Sequence, residues 1–256
     1  DATEGAFDES IRHALTKLAQ IHLTTNEISA RRVRQMGEAP ERVHVVGSPG
    51  LDQLRRLPLL DRPALGAALG APLGKRNVLV TFHPVTLSPD LGLHEFRALL
   101  QALDELGAET VKWITRPNAD PGHEALEAAL DDWARARADA HVFASLGQLR
   151  YLSLMGQVDA VVGNSSSGLY EAPSLGVPTV DMGDRQKGRT AAASVIHCAP
   201  EASAIAAALE RAFAFDCTGV VNPYGDGFSA GRIVQVLRNA PPSEALIAKR
   251  FHEFAG

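Results

Sequence analysis

The sequence predicts an α/β protein built on a doubly wound parallel sheet, a Rossmann-like domain. Three observations carry this. From Val78 onward, short apolar runs alternate with amphipathic helical stretches. The runs are apolar along their whole length, as strands covered on both faces are. Four polar clusters then follow four of the runs, at the strand ends where ligands bind in such sheets.

The elements follow in chain order. Phe7, Ile11, Leu15 and Leu18 recur at helical spacing, so Phe7 to Ala19 reads as a helix, with Asp8 at its positive end. Ile21–Thr25 is a short strand. Thr24 with Glu27 reads as a capping box that opens a helix to Met36, and Gly37 stops it. Val43–Val46 is β-branched and closes on Gly47-Ser48-Pro49-Gly50. Residues 52–76 are a Leu/Pro/Gly-rich transition with one short helix, and a domain boundary is expected here. Strands follow at Val78–Phe82, Thr110–Thr115, His141–Phe143, Ala160–Gly163, Thr179–Asp181 and Ser194–His197. Helices are expected at Leu93–Leu106, His123–Ala136, 147–155, 168–175 and 202–213, with a last amphipathic helix over Ser243–Phe254. The expected division is 1–76, 77–240 and 241–256.

Of the 256 residues, 45% are hydrophobic and 21% charged, which excludes a chain dominated by disorder. The net charge of −5 gives no reason to expect nucleic acid or an anionic membrane as a partner. No run of 18 apolar residues occurs. Two cysteines without a C-x-x-C pattern point to a reducing, cytoplasmic setting. The opening DATEGAFDES reads as the middle of a longer protein.

The polar clusters are HPVT from His83, RPNAD from Arg116, GNSSSG from Gly163 and GDRQKGR from Gly183. In GNSSSG, small side chains and a following helix suit a phosphate, though a capped turn would look the same. Ser165, Ser166 and Ser167 are the candidates there. Arg185, Lys187 and Arg189 supply charge for a diphosphate, where a lone basic loop would read as solvated surface. Glu171, one turn on, would repel a phosphate but could accept from ribose hydroxyls. His83 ends a strand in the crevice, where it can serve as acid or charge stabiliser. Asp8 and Arg12 have the spacing of a surface ion pair, and Asn118 that of a turn former. The other histidines lack metal-ligand spacing, and no G-x-G-x-x-G or Walker A is present. Neither a metal nor a cofactor is therefore expected.

Taken together, FDESIRHALTKLA, GSPGLD, VTFHPVT, RPNAD, FASLGQLRYLSL, GNSSSGLYEAPSLGVPTV, GDRQKGR and NPYGDG resemble the hydrolysing UDP-N-acetylglucosamine 2-epimerase family, in order from residue 1 to about 238. The resemblance implies a GT-B architecture, two Rossmann-like lobes with a UDP-sugar between them. Residues 1–76 would be the tail of the first lobe, 77–240 the UDP-binding lobe, and 241–256 a helix crossing back. The family's earlier portion, with its H-x-E-G-G stretch, is absent from the sequence. By position, Ser165 and Ser166 match diphosphate-binding serines and Glu171 a ribose-binding carboxylate. Asn118, Leu146 and Arg185 match positions lining the UDP site. His83 matches the active-site histidine and Asp8 its acidic residue. Phe7 and Glu9 depart from the commoner I-D-D-S.

The implied chemistry is elimination of UDP across carbons 1 and 2, then hydration to a free 2-acetamido sugar of manno configuration. The substrate would be UDP-N-acetylglucosamine or a 2,4-diacetamido relative, in a homo-oligomer assembled through the first lobe. Two other readings use the same crevice: a GT-B glycosyltransferase, for which no acceptor feature is visible, and a UDP-binding piece inactive by itself.

Overall fold

The computed structural model describes residues 8–253, with Asp8 as backbone only. The first unit holds α1 (Asp8–Leu18), β1 (His22–Thr24), α2 (Glu27–Gln35), a 3-10 turn at Pro40–Arg42, β2 (Val43–Val45) and α3 (Pro49–Arg56). β1 and β2 pair in parallel, His22 opposite Val43 and Thr24 opposite Val45. The capping box expected on Thr24 does not form. Thr24 is committed to β1, where its hydroxyl donates to the carbonyl of His44 at 3.2 Å. Asn26 caps α2 instead: its extended backbone lets Oδ1 accept from the Ser29 N–H at 2.9 Å.

The chain then builds α4 (Arg62–Leu69), β3 (Arg76–Thr81), α5 (Leu93–Glu105), β4 (Thr110–Thr115), α6 (His123–Ala134), β5 (Ala140–Phe143), α7 (Gly147–Met155), β6 (Ala160–Gly163), α8 (Ser167–Tyr170), β7 (Thr179–Met182), β8 (Val195–Cys198) and α9 (Ala202–Phe213). The six strands form one parallel sheet in the order β5-β4-β3-β6-β7-β8. The order reverses between β3 and β6, which places a crevice at their carboxyl ends. Both faces are covered. Val78 and Val80 of β3, with Phe82 just after it, pack with Leu99 and Leu103 of α5 and Leu209 of α9. Leu79 points the other way, into a second core with Trp113, Leu154 of α7 and Leu65 and Leu69 of α4. This two-sided burial is why the strands read as unbroken apolar runs.

Four helical readings depart from the structure: where one short helix is expected in 52–76 there are two, α3, which starts at Pro49, and α4. The helix expected over 168–175 is one turn, α8, followed by a 3-10 turn at Ala172–Leu175. The break falls at Glu171, two residues before Pro173, whose ring has no N–H to continue an α-helix. An unforeseen helix, α10 (Ser229–Arg238), packs on α3. The helix expected over Ser243–Phe254 is only α11 (Ser243–Ile247), which buries no residue and so has nothing to hold a longer one. The chain beyond α11 lies on the first unit, where the His252 N–H donates to the Gly37 carbonyl at 2.9 Å. Lys249 Nζ donates to the carbonyls of Thr16, Lys17 and Ala19 at the end of α1, at 3.1, 2.8 and 2.6 Å. It also pairs at 2.8 Å with Glu38, a buried carboxylate that holds Lys17 and His22 as well, at 2.6 and 2.9 Å. No helix among the described residues is long and apolar enough to cross a membrane.

Candidate functional site

The crevice is built where β3 and β6 end side by side. Their ladder runs from Val78 opposite Ala160 to Thr81 opposite Gly163. Gly163 has φ +142°, and a Cβ there would stand 2.0 Å from the Thr81 carbonyl oxygen. Only glycine fits both the angle and the approach. The next residue, Asn164, is fully buried. Its Oδ1 accepts from the His83 N–H and its Nδ2 donates to the His83 carbonyl, both at 2.8 Å. Its own carbonyl accepts from Arg185 Nη1 at 3.2 Å and from Gln186 Nε2 at 2.7 Å. His83, GNSSSG and the basic loop, expected to share one crevice, meet there around one asparagine.

His83 is neutral at pH 7. Burial, helped by the Arg185 guanidinium, holds the ring at about 4, while Asp120 pulls weakly the other way. The Asn118 N–H donates to His83 Nδ1 at 3.1 Å, so the proton of the neutral ring sits on Nε2. Asn118 thus contributes its main chain to the site, and its side chain is exposed. Leu146 is likewise unlike a binding side chain: it is buried in the core with Leu79 and Trp113.

The serines divide. Ser167 Oγ meets Tyr151 Oη at 2.6 Å and Ser165 Oγ at 3.1 Å, and Tyr151 Oη lies 3.3 Å from Thr81 Oγ1. Ser167 is thus tied into an inner chain of hydroxyls. Tyr151 is pushed up by burial and stays protonated. α8, a four-residue turn, is too short to build a helix dipole.

Glu171 is half-buried and its carboxyl is pushed up to about 7 by burial. It faces the GSPG turn of the first unit: a Cβ on Gly50 would stand 3.7 Å from Oε1. Arg189 reaches over the Tyr170 ring, 5.7 Å from its centroid, and Tyr170 stacks on Tyr224 at 3.8 Å. Beneath the basic loop, buried Asp181 pairs with His197 at 2.8 Å. Burial pushes Asp181 up, and Asp181 in turn raises His197. The side chain of Asp8 lies outside the described residues. Asn164, Gln186 and Tyr151 were not foreseen. Asn164 stood within GNSSSG, but a loop asparagine by itself signals only a turn.

Comparison with known proteins matches residues 1–238 to a family model described as UDP-N-acetylglucosamine 2-epimerase. Among curated relatives, the GDP/UDP-N,N'-diacetylbacillosamine 2-epimerase (hydrolyzing) of Campylobacter jejuni is 36% identical over 197 residues, covering 77% of this chain and 51% of the relative. The UDP-N-acetylglucosamine 2-epimerase of Neisseria meningitidis is 33% identical over 255 residues, covering 96% and 65%. The chain thus spans about half to two thirds of the length of these relatives. Among solved structures, the Methanocaldococcus jannaschii UDP-GlcNAc 2-epimerase in complex with UDP-GlcNAc and UDP superposes with TM-score 0.71 at 17% identity, over 86% of this chain and 61% of that one. The Neisseria meningitidis enzyme bound to UDP-GlcNAc gives 0.66 at 19% identity, over 91% and 65%. These likenesses show the fold, which is GT-B-like.

Proposed function

Since the chain belongs to the UDP-N-acetylglucosamine 2-epimerase family, we propose that it forms the UDP-binding wall of a hydrolysing enzyme, one that releases UDP and a free manno-configured sugar from UDP-N-acetylglucosamine or a 2,4-diacetamido relative. The observation that carries the reading is the convergence of His83, Arg185 and the serine loop on Asn164 at the switch point of the sheet. The hydrolysing branch is favoured by the Campylobacter relative's name and by GNSSSG itself. The two free cysteines suit a cytoplasmic setting.

In this reading Ser165, Ser166 and Arg185 hold the diphosphate and Glu171 the ribose hydroxyls. Arg189 stands by for the phosphates, whereas Ser167 supports the loop from behind. Leu146 and Asn118 border the nucleotide by their main chains. A base takes the proton from carbon 2, the bond from carbon 1 to the UDP oxygen breaks, and a glucal forms. Water adds at carbon 1 while a proton reaches the opposite face of carbon 2. Negative charge grows on the departing UDP, where Arg185 and the Nε2–H of His83 stabilise it. His83 acts as a neutral donor, because an imidazolium is disfavoured where it sits. Asp8, at the first residue of α1, is the acid/base candidate of this chain.

The test is the product. Given UDP-N-acetylglucosamine, the full-length protein should yield free N-acetylmannosamine and UDP in equal amounts. A manno sugar still attached to UDP would sink the hydrolysing reading.

A further inference from the structure

β6 leaves the sheet at Gly163, yet its pairing with β3 does not stop there. The next position on β3's side is His83, whose peptide N–H and carbonyl flank the end of the strand. The planar amide of Asn164 offers one acceptor and one donor side by side, and both engage the His83 main chain at 2.8 Å. The side chain thus continues the ladder after the main chain has turned away. Pro84 follows His83 and is buried, and it biases His83 toward the extended backbone that this pairing needs.

The bonds of Asn164 fall into two sets. Its side chain engages His83. Its main-chain carbonyl engages Arg185 and Gln186, and its N–H donates to Thr81 at 3.2 Å. A change of side chain should therefore loosen the histidine and spare the arginine.

We propose that Asn164 is a positioning residue: its amide fixes the main chain of His83, holding Nδ1 on the Asn118 N–H and directing the Nε2–H into the crevice, while Arg185 is anchored separately through the Asn164 carbonyl. The proposal rests on the role given to His83 above. Alanine would leave two buried peptide groups of His83 unpaired. Aspartate keeps the acceptor for the His83 N–H but sets an oxygen against the His83 carbonyl. Glutamine is one carbon too long for the same register.

The test reads His83 directly, with nitrogen-15 NMR of the imidazole rings in the 256-residue chain and in Asn164→Ala. In the parent, His83 should show the Nε2–H tautomer and titrate far below the ordinary range. In the variant its midpoint should rise by at least one pH unit toward 6.5, as the ring escapes burial and its neighbours Arg185 and Asp120. Calorimetry should find UDP affinity within threefold of the parent, and in the full-length enzyme kcat should fall at least tenfold with KM within threefold.

If alanine does not fold, the near-isosteric Asn164→Asp serves, with the same direction of change and partial rescue of kcat at acid pH, where a protonated carboxyl can donate. A folded variant whose His83 titration and tautomer match the parent would overturn the proposal. So would loss of UDP affinity in parallel with kcat. Full activity of His83→Ala would instead remove the function assigned to His83, leaving the NMR outcome to judge the hold of Asn164 on it.

Discussion

The backbone N–H of Asn118 donates to Nδ1 of His83, and this single contact decides which ring nitrogen carries the proton. Because the ring is held at about 4, the native state carries a neutral His83 between pH 4 and 6.5, where the unfolded chain binds a proton. Stability must therefore fall as pH drops from 6.5 toward 4, by at most about 3 kcal/mol from this residue. Urea unfolding at pH 7 and at pH 4.5 should show the loss, and His83→Gln should shrink the difference. An equal pH effect in the variant would contradict the assignment.

Glu171 titrates near 7, so at pH 6 it is mostly the neutral acid. Asparagine-like amides mimic that form. Glu171→Gln should keep UDP affinity within about threefold at pH 6, whereas Glu171→Ala should weaken it by about 0.5–1.5 kcal/mol, the value of a hydrogen bond between neutral groups. Calorimetric titration of UDP into the three proteins decides it. Equal affinity in the alanine variant would remove the ribose contact.

Asp52 is buried and caps α10 from far along the chain, accepting from the N–H groups of Ser229 at 2.8 Å and Ala230 at 2.7 Å. Burial pushes its carboxyl up, but these two donors outweigh that and hold it below the usual range. Asp52→Ala should cost about 2–3 kcal/mol of stability and leave UDP affinity within twofold, since Asp52 is bonded to α10 and not to the crevice loops. Its contribution is present above the ordinary carboxylate range and is lost as pH falls through the lowered folded value. A melting temperature unchanged from the parent would refute the capping role.

Elimination and hydration return a solvent-derived proton to carbon 2. In heavy water, the full-length protein should place deuterium at carbon 2 of the manno product, in step with release of UDP. NMR of the sugar reads this. Hydrogen retained from the substrate would rule out the mechanism and take the roles of Asp8 and His83 with it.

The parallel sheet is legible because its strands serve two cores: Val78 and Val80 face α5 and Leu79 faces α4, so consecutive residues are apolar where a one-sided strand would alternate. His83, Arg185 and the serines were legible from their place just after strands. α10 was not, since its start is fixed by Asp52, 177 positions earlier, and Ser229 is its only buried residue. The last helix is shorter than the pattern predicts because Ile247 and Phe251, which look like one apolar face, are 75% and 68% exposed. Asn164 was invisible for a similar reason. Its partner lies 81 residues away, and nothing local distinguishes an amide that prolongs a ladder from one that shapes a turn.

Glu38 gathers Lys17, His22 and Lys249 onto one carboxylate, and burial alone would have raised it had those partners not held it low. The three partners are made at very different times. Lys249 leaves the ribosome after every strand of the sheet, so the carbonyl groups that end α1 wait for their ammonium until that sheet has been synthesised. Lys17 can tie α1 to Glu38 early, but the cap on the end of the helix is a late addition, made by a residue from the far end of the chain.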